Sequence, residues 1–580
     1  MSVADLVGQI RSQQAGIASP QAMAAGVSAE AGAATELRYV VETEHPVDPE
    51  TIARQVSAIY GFAVAAEPAF PGTDDPDLAR LTLLRIPGPA ESDLRASPFD
   101  LAYDLMDRLG YERVEPDLDA EIFPAEPDRE PAALALMSGF DVLGCWVNGA
   151  SPSDKGWAPR MLRAPQAWDF STSEGRPAHG AGVVIAQIDT GFTAHSELQG
   201  AIDPAQGRDF IDNDLDPTDP LRKVLPIDNP GHGTATASVA VSRGTITSGG
   251  TGGPGEVTGT APAATLVPIR AIRSVSRLNQ LNVARAIDYA ADKGLPIVTM
   301  SLGGLPSIAL WLSLRSAAKR NVLIMAAAGN CVREVVFPAR YENCIAVAGV
   351  NAARKPWKGS CRGSAVDVSA PAELIWRARA KLVNDTPVFD ADGTGEGTSY
   401  AVALTAGVAA LWLAHHGRQN LIGDLAGGET LLDRFRALLK QSAHRPSNWD
   451  SANFGAGIVD AEALLTSGMR PEAVLTPMAA AGIRGDSYAD LVDDIVDDPS
   501  SRAVLATGAA PATGLSRAEK EKFGLEIIWH VYRARLAATR GVSMTAMAGA
   551  AATAPPAVSD QLSGILARPG TEALRRLMVP

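Results

Sequence analysis

The sequence predicts an α/β fold built on a mostly parallel β-sheet with helices on both faces. Apolar runs of strand length alternate with helical segments between about residues 180 and 420, and polar residues follow where these runs end. Parallel strands buried on both faces read as continuous apolar runs, and such sheets place their chemistry at strand ends and helix starts. We expect strands at 181–189, 264–272, 296–302, 322–329, 344–350 and 366–370, and helices at 232–242, 281–293, 309–320 and 398–415.

The N-terminal part predicts a separate small domain. Residues 1–36 are rich in Ala, Gln and Gly and predict a flexible arm. Residues 37–120 follow a βαββαβ pattern, which is typical of a small α+β, ferredoxin-like domain. Residues 121–160 are first rich in Pro, Glu and Asp and then loop-like. They predict a linker that is accessible to proteolytic cleavage, with a processing site between about 118 and 150.

A larger α/β domain is expected at 161–466 and an Ala-rich helical extension at 467–580. In the extension, residues 523–539 are amphipathic, with Leu525, Ile528 and Trp529 on one face. This pattern predicts a helix packed onto the larger domain at 161–466, and recruitment of a partner is the alternative. The sequence does not indicate what the extension does.

Composition excludes some partners. The 580 residues are 46% hydrophobic and 20% charged, which is ordinary for a globular protein. With 51 basic and 66 acidic residues the net charge is −15, which argues against nucleic acid as the main partner. No apolar run suggests a membrane span, so no membrane partner is expected.

The N-terminal sequence and the cysteine content indicate the cellular compartment of the protein. The N-terminus lacks the basic and apolar regions of a secretory signal peptide. Four cysteines are too few for a disulfide framework. Cys331 and Cys344 flank one short segment and could pair, but free buried thiols are expected. These features predict a cytoplasmic location, with a trimmed precursor or non-classical secretion left open.

A serine stands at the start of a predicted buried helix. The segment Gly397-Thr398-Ser399-Tyr400-Ala401 precedes a run of small apolar residues. A serine at this position is exposed at the turn, and the backbone N–H groups of the helix start can stabilise a developing negative charge. A capped helix without chemistry has the same pattern.

Two further segments supply the partners that a nucleophilic serine needs. An apolar strand ends at Asp189, and Asn229-Pro230-Gly231-His232-Gly233 begins a helix of small residues. A carboxylate can fix the tautomer of an imidazole, and the imidazole can take the serine proton. Another strand ends at Asn330, whose side-chain amide could donate to an oxyanion.

This order of motifs resembles the subtilisin-like serine peptidases, the subtilase family or peptidase family S8, over roughly residues 160–466. The segment 454–461, which reads Phe-Gly-Ala-Gly-Ile-Val-Asp-Ala, belongs to the resemblance. It implies a subtilisin-like three-layer fold and a serine endopeptidase, a hydrolase acting on peptides or proteins. It also implies a triad of Asp189, His232 and Ser399, with Asn330 and the Ser399 N–H as the oxyanion hole. His195 is the competing histidine, but it lacks the Gly-His-Gly-Thr setting and is expected to be structural.

The resemblance extends to the N-terminal domain, which resembles the propeptide of many subtilases. It implies an autoprocessed zymogen whose own N-terminal domain is an intramolecular inhibitor. A peptide would add as a strand beside Ser301, Leu302 and Gly303. The loop 273–279, with Arg277, Leu278 and Asn279, would form the other side. Its arginines either favour acidic substrate residues or are only solvated.

No cofactor and no metal in the active site are implied. The acidic segment 209–219 is either a surface loop or a structural Ca²⁺ site. Two departures from the family pattern stand out. The family's Met-Ala-x-Pro-His after the serine is Tyr-Ala-Val-Ala-Leu at 400–404, and its His-Val-Ala after the histidine is Ala235-Thr236-Ala237. Neither removes a proton-transfer group. A peptide ligase or cyclase using the same acyl-enzyme, and a catalytically silent peptide binder, remain alternatives.

Overall fold

The structure is a computed structural model that describes residues 3–17, 36–89, 94, 96–121, 152–223, 228–244, 257–332, 334–471, 487–505, 512–539 and 558–578. The chain divides into two compact units. The first contains Met1–Asp119, Pro306–Leu312 and Asp486–Pro580, and the second contains Ala120–Leu305 and Ser313–Gly485. The expected processing region lies largely outside the described residues.

The first unit contains the expected α+β domain. Four strands form an antiparallel sheet in the order β2-β3-β1-β4, which is the order of a ferredoxin-like domain. The strands are β1 (Glu36–Glu42), β2 (Ala65–Pro68), β3 (Leu81–Pro87) and β4 (Arg113–Pro116), and the helices are Pro49–Tyr60 and Pro98–Leu109. Both helices begin at a proline, which has no N–H to leave unpaired. They end at Gly61 and Gly110 in the left-handed conformation, which glycine adopts without strain.

The prediction of a flexible arm over residues 1–36 is wrong for residues 3–17. Residues Val3–Ile17 form a helix, and its side chains Leu6, Val7 and Ile10 are buried in the core of the α+β domain. The reason is the spacing of these apolar residues, which places all three on one helix face that the domain covers. Residues 18–35 lie outside the described residues.

The C-terminal extension is helical and belongs to the same unit as the α+β domain. Its helices are Tyr488–Asp497, Pro499–Leu505, Arg517–Thr539, Asp560–Leu566 and Glu572–Met578. We call Arg517–Thr539 the long extension helix. It contains the amphipathic segment expected at 523–539, and Ile528 and Trp529 are completely buried. The expectation that this segment packs onto the domain at 161–466 is wrong, because the helix belongs to the compact unit of the α+β domain.

The second unit contains the expected parallel sheet. Seven strands lie in the order β13-β12-β11-β10-β6-β8-β7, all of them parallel. They are β6 (Val184–Asp189), β7 (Arg208–Asp209), β8 (Thr265–Arg270), β10 (Ile297–Met300), β11 (Leu323–Ala327), β12 (Ile345–Val350) and β13 (Val368–Pro371). The six strands expected from the apolar runs are confirmed, with ends that differ by at most three residues, and β7 was not expected.

Helices flank this sheet, which confirms the subtilisin-like α/β architecture. They are Trp157–Met161, Ala164–Ser173, His232–Val241, Gln280–Asp292, Ile308–Lys319 (from Ser313 on), Thr398–His416, Arg418–Gly423, Leu431–Ser442, Ser451–Phe454 and Ala461–Thr466. We call His232–Val241 the histidine helix and Thr398–His416 the serine helix. The serine helix packs against β10, β11, β12 and β13 and against the histidine helix.

The serine helix is long and apolar enough, by length and composition, to cross a membrane. Its apolar window is completely buried inside the protein, as in the core helix of a globular fold. A helix that is hydrophobic on all sides must be covered on all sides. The burial therefore explains its composition.

Two short sheets complete the second unit. A hairpin of β14 (Ile375–Val383) and β15 (Thr386–Gly395) was not expected from the sequence. The other sheet pairs β5 (Asp119–Glu121) with β9 (Arg277–Asn279). Two of the three residues of β5, Ala120 and Glu121, belong to the second unit.

Candidate active site

An aspartate and a histidine meet at the end of β6. Asp189 is the last residue of this strand and is 1% exposed. Its Oδ1 lies 2.8 Å from Nδ1 of His232, the first residue of the histidine helix. Because a carboxylate can only accept, Nδ1 carries the hydrogen, which leaves Nε2 as the basic nitrogen of the ring. The pair thus has the arrangement of a carboxylate and a general base.

Glycines on both sides of His232 allow this approach. Gly231 has φ +81°, a left-handed conformation, and a Cβ there would collide with the Ala380 carbonyl of the hairpin. A Cβ on Gly233 would collide with the carbonyl of Gly191, in the turn that follows Asp189. The Gly-His-Gly sequence is therefore required to bring the histidine against the strand end.

Ser399 is the second residue of the serine helix and is buried. Its hydroxyl donates to the Ser301 carbonyl at 3.4 Å, and the Ser301 hydroxyl donates to the Ser399 carbonyl at 2.9 Å. The serine is thereby joined to the segment expected to bind a peptide. Its position at a helix start directs backbone N–H groups toward the site.

The orientation of Asn330 is fixed by Thr398, the residue before Ser399. The backbone N–H of Thr398 donates to Asn330 Oδ1 at 3.0 Å, and the Thr398 hydroxyl donates to the same oxygen at 2.9 Å. Because a backbone N–H can only donate, the atom that faces it must be the amide oxygen. The amide nitrogen is then the group with which Asn330 can donate to an oxyanion.

Sequence reasoning missed the residues that hold the aspartate and histidine turns together. Asp219 accepts from the Thr190 hydroxyl at 2.8 Å and from the Gly231 N–H at 2.7 Å. The Thr190 hydroxyl also accepts from the Gly233 N–H at 3.1 Å. Burial raises the pKa of Asp219, and these donated hydrogen bonds oppose the rise. The only sequence signal was the acidic loop, which was interpreted as surface or calcium.

Sequence reasoning also missed two buried polar residues, Gln187 and Thr236, that are hydrogen-bonded next to Asp189. Gln187 Nε2 donates to the Thr236 hydroxyl at 2.6 Å, and that hydroxyl lies 3.2 Å from Asp189 Oδ2. All three side chains are buried. Thr236 belongs to the segment Ala235-Thr236-Ala237, which departs from the family's His-Val-Ala. From the sequence alone, we expected this departure to affect only helix packing. The structure places the Thr236 hydroxyl against the carboxylate.

The residues expected to bind a peptide lie on two neighbouring segments. The Gly303 N–H donates to the Val275 carbonyl at 3.0 Å, so the segment 301–303 is joined to the loop that leads into β9. The backbone of β9, which contains Arg277 and Leu278, pairs with β5. The Asn279 side chain caps the helix Gln280–Asp292, because its Oδ1 accepts from the Asn282 N–H at 3.0 Å.

The competing histidine has a structural role. His195 Nδ1 accepts from the Glu197 N–H at 3.1 Å, so its Nε2 is the donor to the Asp390 carbonyl at 3.0 Å. Nε2 thus bonds β15 and Nδ1 bonds the backbone of the following turn, so both ring nitrogens have structural partners, as expected from the sequence.

The acidic segment 209–219 surrounds an arginine. Asp209 and Asp212 both pair with the Arg270 guanidinium, and Asp209 Oδ1 also accepts from the Ile211 and Asp212 N–H groups. In the described part of the chain, no three His, Cys, Asp or Glu side chains converge as metal ligands. A structural Ca²⁺ remains a prediction from the sequence alone.

The comparisons with known proteins agree with this geometry. The model of the subtilase family matches residues 180–457. Thermitase of Thermoactinomyces vulgaris is 34% identical over 269 residues, which are 46% of this chain and 84% of thermitase. This chain is a subtilase. A thermophilic serine proteinase of Bacillus sp. (strain AK1) is 33% identical over 46% of this chain and 59% of that protein. The subtilase is accordingly a serine endopeptidase that acts on peptides or proteins.

The expected cytoplasmic location of this subtilase is contradicted by its relatives. A relative named an extracellular protease, of Xanthomonas campestris pv. campestris, is 29% identical over 53% of this chain and 57% of its own length. In the structure Cys331 is disulfide-bonded, whereas Cys344 and Cys361 are free and buried. The expectation of a free thiol, and the alternative of a Cys331–Cys344 bond, are both wrong for Cys331. Disulfides persist in oxidising compartments, so a low cysteine count was a poor guide.

Proposed function

We propose that this subtilase cleaves peptide bonds with Asp189, His232 and Ser399 as its catalytic triad. Ser399 Oγ attacks the peptide carbonyl while His232 Nε2 takes its proton, and His232 then protonates the leaving amine. Water hydrolyses the resulting acyl-enzyme with His232 again acting as base. The observation that carries the proposal is the 2.8 Å contact between the buried Asp189 carboxylate and His232 Nδ1.

The oxyanion of each tetrahedral intermediate would be held by Asn330 and by the Ser399 N–H. Support comes from Thr398, which fixes the amide oxygen of Asn330 with two hydrogen bonds. An oriented donor stabilises charge without having to reorganise during the reaction. The N–H of Ser399 lies in the first turn of the serine helix, where backbone N–H groups have no partner within the helix.

The peptide would bind by strand addition between residues 301–303 and β9. The pairing of β5 with β9 supports this, because β5 is a strand that already adds to that edge. Asp119 and Glu121 are acidic, and two arginines stand nearby in the sequence of the other strand, Arg273 just before β9 and Arg277 as its first residue. The N-terminal segment and an acidic substrate would then compete for the same edge.

The N-terminal domain would be an intramolecular inhibitor that the enzyme removes by its own cleavage. β5 follows directly on this domain along the chain, so an uncut chain occupies the edge that a substrate needs. A segment held in the same chain has a high effective concentration and excludes substrate efficiently. Cleavage between about 118 and 150 would open the site.

The test is the intact mass of the purified protein over time. The wild type should lose roughly 12–16 kDa, the mass of 118–150 residues, and Ser399→Ala should remain at 60.4 kDa. Ser451→Ala, at an exposed serine of the same unit, is the matched control and should process like the wild type. Processing of Ser399→Ala at the wild-type rate, or activity of this variant on peptides, would refute the proposed nucleophile.

A further inference from the structure

We propose that the C-terminal extension is a binding partner of the N-terminal domain and keeps this domain attached after the linker is cut. No sequence motif indicates a role for the extension. Residues 1–119 and 486–580 nevertheless form one compact unit, although more than 360 residues separate them along the chain. A cut in the linker would leave the N-terminal domain bound to the extension, which stays covalently joined to the catalytic part.

The contact has an aromatic centre. Phe99 and Tyr103 project from the helix Pro98–Leu109 of the N-terminal domain, and Phe523 and Trp529 project from the long extension helix. The Phe99 and Trp529 ring centroids are 5.5 Å apart, and those of Tyr103 and Phe523 are 4.8 Å apart in an edge-on arrangement. Buried aromatic residues of this kind supply most of the binding energy in protein interfaces.

The helix Pro98–Leu109 shows why a partner is needed. Leu101, Ala102 and Leu105 pack into the core of the N-terminal domain itself. Phe99 and Tyr103 belong to a different face, yet they are only 1% and 2% exposed. A helix at the surface of a small domain normally leaves this face to solvent. The extension therefore covers an apolar face that the N-terminal domain cannot bury alone.

Buried polar groups add specificity beside the aromatic centre. Glu526 of the extension is completely buried and accepts from the Tyr103 hydroxyl at 3.0 Å. Its oxygens also accept from the N–H and hydroxyl of Ser559, at 2.6 and 2.8 Å. Asp100 accepts from the Asp560 N–H at 2.8 Å. A carboxylate is tolerated in such a position only when partners surround it, so the polar groups fix one docked arrangement.

Ion pairs surround this centre. Lys522 Nζ lies 2.7 Å from Asp107, and the Asp107 carboxylate also accepts from Gln561 at 3.0 Å. Arg113 of β4 pairs with Glu521 at 3.5 Å and lies over the Tyr488 ring, 4.7 Å from its centroid. An apolar centre with a charged rim is the usual anatomy of an interface between separate proteins.

Attachment of the N-terminal domain to the extension would affect how the enzyme is activated. An inhibitor domain that is bound to the extension stays at high local concentration after the linker is cut. Activation would then be limited by the separation of the domain from the extension. The attachment itself does not depend on the proposed triad, whereas this regulatory consequence rests on the proposed inhibition.

The experiment uses the full chain with Ser399→Ala, so that only an added protease can cut it. A recognition sequence for that protease is inserted within residues 122–150, and the cut protein is analysed by gel filtration. The N-terminal fragment should co-elute with the rest at micromolar concentration. Elution of the fragment as a separate species would overturn the proposal. Failure of the proposed catalytic function would not alter this result, because the enzyme's own serine makes no cut.

Single and double variants test whether the contact with the extension is what retains the N-terminal fragment. Trp529→Ala should weaken retention by at least about 100-fold, as expected for removal of a buried aromatic ring. Lys522→Glu should weaken it about fivefold, and the exchanged pair Lys522→Glu with Asp107→Lys should restore it. Lys520→Glu is the matched control, because Lys520 lies on the same helix but pairs with Asp493 of the extension itself.

Unchanged retention in both Trp529→Ala and Lys522→Glu would overturn the proposal, since the fragment would then be held by something other than the extension. Circular dichroism of each uncut variant shows whether it folds. If Trp529→Ala does not fold, the proposal is tested by Lys522→Glu and by its rescue with Asp107→Lys. Loss of retention in Lys520→Glu equal to that in Lys522→Glu would also count against the proposed contact.

Discussion

Replacing Thr398 by valine should lower kcat about tenfold with little change in KM. Thr398 supplies two hydrogen bonds to the amide oxygen of Asn330, from its N–H at 3.0 Å and from its hydroxyl at 2.9 Å. Valine keeps the shape and the N–H but removes the hydroxyl. The loss of one neutral hydrogen bond, about 1 kcal/mol, corresponds to a factor of 5–10 in rate if it is expressed in the transition state. The oxyanion forms only there, so kcat should fall rather than KM rise.

The variant also has a cost in stability. The Thr398 hydroxyl accepts from the buried Gly329 N–H at 3.1 Å, and valine leaves this donor without that acceptor. The free energy of unfolding should fall by about 1–3 kcal/mol. Thr405→Val is the matched control, because Thr405 is a buried threonine of the same helix whose hydroxyl donates to the Ala401 carbonyl, one turn earlier in that helix. It should lose stability but retain kcat.

The assay is steady-state hydrolysis of a fluorogenic peptide by Thr398→Val, Asn330→Ala and the double variant. Removing an oxyanion donor outright typically costs about 10²–10³ in kcat, so Asn330→Ala should be the slower single variant. If Thr398 acts through Asn330, the double variant should be no slower than Asn330→Ala. Additive losses, or an effect of Thr398→Val on KM alone, would refute the reasoning.

Three further outcomes are expected. Asp219→Asn weakens the acceptor shared by Thr190 and Gly231, so kcat should fall about tenfold or more, with the folded fraction checked by circular dichroism. Thr236→Val should lower kcat by less than tenfold, and a change in KM alone would contradict its contact with the catalytic carboxylate. Burial raises the pKa of Glu115 from its ordinary 4.5 to about 7, so the folded state retains a proton that the unfolded chain releases. Stability of the N-terminal domain should fall as pH rises from about 4.5 to 7, by at most about 3 kcal/mol, and denaturation of Glu115→Gln should lack this slope.

The parallel sheet could be predicted because each of its strands is a local apolar run. The triad motifs were found for the same reason, since Asp189 follows a strand and His232 and Ser399 each begin a helix. The hairpin was missed although its signal is local. Residues 375–383 alternate, and Asn384 and Asp385 both adopt positive φ, as a tight hairpin turn requires.

Other features could not be read from local patterns. The contact of the extension with the N-terminal domain joins residues more than 400 positions apart, as in the bond from Tyr103 to Glu526. Amphipathicity shows that a helix face is covered, but it does not identify what covers it. The role of Asp219 was hidden in the same way, because its partners Thr190 and Gly231 meet it only in the folded chain.

Thr236 departs from the family pattern, and its hydrogen bond with Gln187 helps to explain why a threonine is accommodated there. Each is a polar residue in a buried strand or helix position, and a buried polar group without a partner costs about 1–3 kcal/mol. Gln187 Nε2 donates both to the Thr236 hydroxyl and to the Gly233 carbonyl, so Thr236 supplies one of the partners that this buried amide needs. The hydroxyl is then positioned by Gln187 against the carboxylate that holds His232. Replacing Gln187 by leucine should therefore harm the enzyme more than replacing both residues by apolar ones, because the single change leaves the threonine hydroxyl without its donor.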